Sequence, residues 1–143
     1  MTRATPELKA LLERAAGCLA RGAHDEARQC VEALLASVPR LPEARFLRGE
    51  LLRHDGDAAA ALRCYRQVLE AGLREPGVYV ACGLAQRALG DLDAARRSLE
   101  RAVALDPSSV EAHGNLARVH GDSGALAAAI RHGTLALDLA PTH

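Results

Sequence analysis

The side chains best equipped for chemistry are four cysteines, six histidines and an unusual number of arginines, in a chain of 143 residues. A zinc centre needs thiolate or imidazole ligands in close sequence pairs, such as Cys-x-x-Cys. Cys18, Cys30, Cys64 and Cys82 are separated by 12, 34 and 18 residues, and no histidine stands near them at ligand spacing. They read as small, buried, reduced thiols. His113 and His120 lie seven apart, two turns along one helical face, with no carboxylate or thiol placed to complete a site. A core or groove position is the expectation for both, and no metal. The chain has no glycine-rich phosphate loop, no Gly-x-Ser-x-Gly and no His-Glu-x-x-His motif, so no catalytic residues and no cofactor are expected.

Arginine offers a different chemistry, since its planar guanidinium binds a carboxylate through two parallel hydrogen bonds. Arg53 and Arg87 stand 34 residues apart, and Arg118 falls near the same stripe. They either grip acidic groups of a partner or form a solvated face balanced by Glu50 and Asp122. Of the 18 basic residues only Lys9 is a lysine, a bias expected of a GC-rich, bacterial coding sequence. The 18 acidic residues bring the net charge to zero, which gives no bulk attraction to nucleic acid or to an anionic membrane surface. The first nine residues hold no apolar leader, and no uncharged apolar stretch approaches eighteen residues, so a soluble cytoplasmic protein is expected.

Helices must position these groups. Hydrophobic residues make up 49% of the chain but aromatics only 2%, beside about thirty alanines, so small side chains do most of the packing. Closely approaching helices suit that composition, whereas sheets draw on the β-branched and aromatic residues that are scarce here. Glycine supplies the organisation. Gly22, Gly56, Gly90 and Gly124 recur at intervals of 34, and Ala27, Ala61, Ala95 and Ala129 each follow five residues later. Pro39, Pro107 and Pro141 share one phase of the same period, and Pro42 and Pro76 share another.

Within one period the pattern predicts two antiparallel helices and a tight turn. Pro76 suits a first helical turn, where its missing N–H would be unpaired in any case. Tyr79, Cys82, Gly83, Gln86 and Leu89 continue that helix until Gly90 breaks it. Asp57 and Asp91 are fitting N-caps for the second helices of their units, and Ser108 with Glu111 makes a capping box for the fourth.

With these residues in view, the chain resembles four tandem tetratricopeptide repeats, at residues 8–41, 42–75, 76–109 and 110–143, after a short arm at 1–7. The family's small residue in the first helix is met by Ala15, Gly49, Gly83 and Ala117, and its bulky partner in the second by Val31, Tyr65 and Leu99. Gly133 departs from that pattern, as do Arg45 and His113 at a position usually aromatic and Leu73 where proline usually closes a unit. The resemblance implies an all-α, right-handed superhelical solenoid of about eight helices.

It also implies a concave groove, lined by first helices, that binds a peptide or helix of a partner protein. By that geometry the inward residues include Phe46, Leu47, Glu50 and Arg53, then Val80, Leu84 and Arg87, then Asn115 and Arg118. The alternative shifts the register by one position and makes the apolar ones core. A partner segment combining apolar anchors with aspartate or glutamate would suit the lining. Two specialised groove chemistries of the family are missing: Leu12, Ala16, Leu47, Gly77 and Ala81 stand where a chaperone-tail clamp has Lys and Asn, and Asn115 is a single rung where sugar-transferase relatives have a ladder.

Repeat arrays usually end in a polar cap. Ile130, Leu135, Leu137 and Leu139 fall instead on a last helix with no amphipathic helix after it, which favours a fragment of a longer protein, with self-association through this end as its physical consequence. Three functions follow: an adaptor, a helper segment of a larger enzyme such as a transferase, and a self-assembling scaffold.

Overall fold

A computed structural model describes residues 5–140; residues 1–4 of the expected N-terminal arm and the closing Pro141 lie outside the described residues. Eight helices and no strand occur among them: α1 (Pro6–Ala20), α2 (His24–Ser37), α3 (Pro42–His54), α4 (Ala58–Glu70), α5 (Pro76–Ala88), α6 (Leu92–Leu105), α7 (Val110–Asp122) and α8 (Leu126–Leu139). They form two compact units, α1–α4 and α5–α8, with the chain passing from one to the other between Gly72 and Leu73. Each unit contains two repeats. No helix among the described residues is long and apolar enough to cross a membrane.

The turns explain the glycine period. Gly22, Gly56, Gly90 and Gly124 all have φ between +76° and +88°, a backbone region that costs other residues about 1–2 kcal/mol. In each turn the amide after the glycine donates back to the helix: Ala23 to the Cys18 carbonyl, Asp57 to Leu52, Asp91 to Gln86 and Ala125 to His120, at 2.8–3.0 Å. This is the same glycine-terminated motif four times over. Asp57 and Asp91 cap the following helices by accepting from the Ala60 and Ala94 amides, as the sequence predicts. At α7 the cap is Ser109 rather than Ser108. Asp106 takes both the amide and the hydroxyl of Ser108 (3.2 and 2.7 Å), which leaves the Ser109 hydroxyl to accept from the Ala112 amide at 3.1 Å. The first helix also begins ahead of the expected boundary at residue 8, because Thr5 caps it and Pro6 fits its first turn.

Small residues set the distance between paired helices. A Cβ on Gly49 would come within 2.5 Å of the Tyr65 ring, and one on Gly83 within 2.7 Å of Leu99 Cγ. In the last pair Ala117 faces Gly133 instead, where a Cβ would sit at an ordinary 3.8 Å. The core of the first unit gathers Ala15, Cys18, Ala27, Val31, Leu34 and Leu51. That of the second gathers Ala95, Leu99, Ala102, Ala112, Leu116 and Val119. Helix α8 contributes no buried residue.

Candidate functional site

In the first unit the candidate side chains lie on α3, which packs beside α1 and α4. Phe46, Glu50 and Arg53 recur at helical spacing and therefore share one face. All three are half-buried, as is Leu47. They are tied together through Tyr65 of α4. The Tyr65 hydroxyl donates to Glu50 Oε1 at 2.6 Å, Arg53 Nη2 donates to Glu50 Oε2 at 3.0 Å, and the Phe46 ring tilts against the Tyr65 ring at 5.6 Å between centroids. Burial, reinforced by the Glu50 carboxylate, pushes the Tyr65 phenol far above its ordinary range. Burial opposes the charge of Arg53, but Glu50 and Tyr65 outweigh it and hold the guanidinium above its usual value.

In the second unit the candidates are spread over neighbouring helices α5 and α7. Arg87 Nε donates to Asp122 Oδ2 at 2.6 Å, joining the two helices, and this hydrogen bond holds the Asp122 carboxyl below the usual carboxylate range. Leu84 is half-buried against the core. Val80 is 3% exposed and belongs to that core, so it does not line a surface. Its turn of α5 lies against α6 and α7. Asn115 is also buried, at 6% exposure, with its amide nitrogen donating to the Glu111 carbonyl at 2.9 Å. Arg118 is exposed, and no carboxylate pairs with it among the described residues.

Thus Arg53 and Arg87 meet Glu50 and Asp122, the two carboxylates that the balanced-face reading supplies for them. One further relationship escapes sequence reading. Among the described residues, the buried side-chain polar atoms without a hydrogen-bond partner are Arg53 Nε and Asn115 Oδ1, one in each unit. Both residues are among the nine predicted for the groove.

The histidines form a separate cluster. His113 is buried and its Nε2 lies 2.9 Å from the Pro107 carbonyl, which can only accept, so Nε2 carries the proton. Its Nδ1 therefore accepts from His132 Nδ1 at 3.2 Å, and the His120 ring stacks on His132 at 5.3 Å. Among the described residues no group of three or more His, Cys, Asp or Glu is arranged to hold a metal ion. Cys18, Cys30 and Cys82 are buried and Cys64 is half-buried.

The sequence matches the tetratricopeptide repeat family over residues 12–76 and 81–143, and the chain belongs to that family. No curated protein matches it. Among solved structures, a tetratricopeptide protein of Thermus thermophilus is 25% identical with a TM-score of 0.80, covering 94% of this chain and 75% of that one. A double mutant of MamA from RS-1 is 21% identical with a TM-score of 0.78, over 92% and 74% of the two chains. An O-GlcNAc transferase mutant of Thermobaculum terrenum is 25% identical with a TM-score of 0.78; the alignment spans 84% of this chain but only 23% of the transferase. All three share its all-α helical repeat fold.

Proposed function

We infer that the chain is a non-catalytic adaptor that binds an extended or helical segment of a partner protein against its first helices. The carrying observation is the pair of orphaned atoms. A buried polar atom without a partner costs about 1–3 kcal/mol, and a small side-chain rotation that brings either atom to the surface lets a peptide main chain supply its complement: a carbonyl for Arg53 Nε within the first unit, or an N–H for Asn115 Oδ1 within the second. Phe46 and Leu47 in the first unit and Leu84 in the second supply half-buried apolar surface on the first helices α3 and α5. Arg118, with no carboxylate partner among the described residues, favours an acidic residue in the partner. A bacterial source fits the arginine-biased composition. Affinity capture with the intact chain tests this reading. Proteins retained by the wild type should be lost with Asn115→Ala and with Leu84→Asp; unchanged retention by both variants removes these faces from the account.

The transferase similarity supports a second reading, in which the chain is the accessory repeat segment of a larger enzyme and positions that enzyme's substrate. A contiguous catalytic reading frame would establish it. The exposed side chains of α8 support self-association: Leu126, Ile130 and Leu137 are 67%, 68% and 79% exposed. A strict monomer across a concentration series by light scattering would exclude this.

A further inference from the structure

The repeats of the two units differ at one position with a large consequence. Arg14, Arg48, Cys82 and Leu116 share one phase of the 34-residue period. In the second unit Leu116 is 1% exposed and closes the seam between α6 and α7. In the first unit the corresponding residue between α2 and α3 is Arg48, which is exposed. A guanidinium cannot take the place of that leucine in an apolar seam without losing its hydration, so the side chain turns outward. The seam stays open as a cleft of about 440 Å³ whose apolar lining includes Val31, Leu35, Leu51 and Leu52.

The cleft has a polarity along its length. At one end Arg28 is already held by Asp25 and Asp55. Towards α4 a second depression of about 330 Å³ continues it, sharing Leu35 and Arg48 and adding Arg45 and Cys64. Arg45 and Arg48 have no carboxylate partner among the described residues, and Arg63 on α4 adds to the positive charge felt at Cys64. Among the described residues, Glu32 on the α2 rim is the one acidic side chain of the cleft not paired to an arginine. This trough lies on the side of α3 away from Phe46, Glu50 and Arg53, so it is separate from the face they form.

We propose that the α2–α3 trough is a second docking site, for a partner-protein segment that inserts an aliphatic or aromatic side chain between Leu35 and Leu52 and places a following aspartate or glutamate on Arg48 and Arg45. The apolar lining alone would accept any hydrophobic group; the unpaired arginines at one end select the acidic neighbour and fix the direction of the segment.

Selection of a displayed library of random peptides, about 12 residues long, against the intact chain tests this, with counter-selection on Arg48→Leu. That variant installs the residue the second unit uses to close its own seam, so its thermal midpoint should not fall. Peptides surviving counter-selection should carry an apolar residue followed by Asp or Glu. They should bind Arg48→Leu and Arg48→Glu at least about ten-fold more weakly, bind Leu84→Asp unchanged, and shield Cys64 from N-ethylmaleimide. The proposal is overturned if no recovered peptide depends on Arg48, if Lys in place of the acidic residue binds equally well, or if decanoate displaces the peptides at lower concentration than they bind. Arg48→Glu keeps the test decisive should Arg48→Leu fold poorly.

Discussion

Tyr65 Cε1 occupies the space that a Cβ on residue 49 would need, so the α3–α4 crossing is set by the absence of a single methyl group. Replacing Gly49 by alanine brings a helix-propensity gain of up to about 1 kcal/mol. Overpacking costs about 1–3 kcal/mol, and the ring cannot swing aside while its hydroxyl is bonded to Glu50. The cost exceeds the gain. Gly49→Ala should therefore lower the thermal midpoint by several degrees, and an unchanged or raised midpoint would contradict this packing.

Gly83 and Leu99 repeat the relationship in the second unit. Here the remedy is written in the first repeat, which uses Ala15 with Val31. The double change Gly83→Ala with Leu99→Val should lose clearly less stability than the two single changes added together, by about 0.5 kcal/mol or more in a denaturant-based double-mutant cycle. Strict additivity would mean that the two side chains do not touch.

Removing the Tyr65 hydroxyl and removing the Glu50 carboxylate should differ in effect. Tyr65→Phe deletes one hydrogen bond and leaves Glu50 with Arg53, at a cost of about 0.5–1.5 kcal/mol. Glu50→Ala strands both the phenol and the half-buried guanidinium and should cost more. Urea midpoints in the reverse order would refute this hierarchy.

The second unit should weaken in mild acid. Burial, then the neighbouring His120, His113 and Arg131, lower the His132 pKa below the ordinary value of 6.5, with Glu100 opposing them. A ring held neutral in the folded chain but free to protonate in the unfolded one contributes stability that is complete above about 6.5 and is lost as pH falls toward the lower folded value. The thermal midpoint should therefore fall between about pH 7.5 and pH 5.5, and His132→Gln should flatten that slope. An equal slope in the variant would assign the effect elsewhere.

Helix α8 should accept charge. Because Leu126, Ile130 and Leu137 are mostly exposed, Leu126→Glu and Leu137→Glu together should change folding stability by no more than about 0.5 kcal/mol per site. A large loss by calorimetry would mean that this face is covered.

The 34-residue spacing made the helices and their turns readable, because each depends on local rules: a left-handed glycine, an aspartate cap, a proline in the first turn. Assigning side chains to surface or core was harder. Residues four apart on a helix lie only about 40° apart on one face, yet Val80 is in the core while Leu84, four residues on, lies at its edge. The cap at Ser109 was hidden by the competing claim of Asp106 on Ser108, which the spacing of a capping box does not reveal. The signal for the open α2–α3 seam did stand in the sequence, as an arginine in the phase occupied by Leu116. Its meaning required knowing that this phase faces the neighbouring helix.

The hydrogen bond from His113 to the Pro107 carbonyl has a spectroscopic consequence. An imidazole proton held in a part-buried hydrogen bond exchanges slowly with solvent and resonates well downfield of the amide envelope. In this chain it links the turn before α7 to the body of that helix. The second unit therefore carries its own unlabelled probe, whose line width in water follows the integrity of α7 and α8 during heating, acidification or ligand addition.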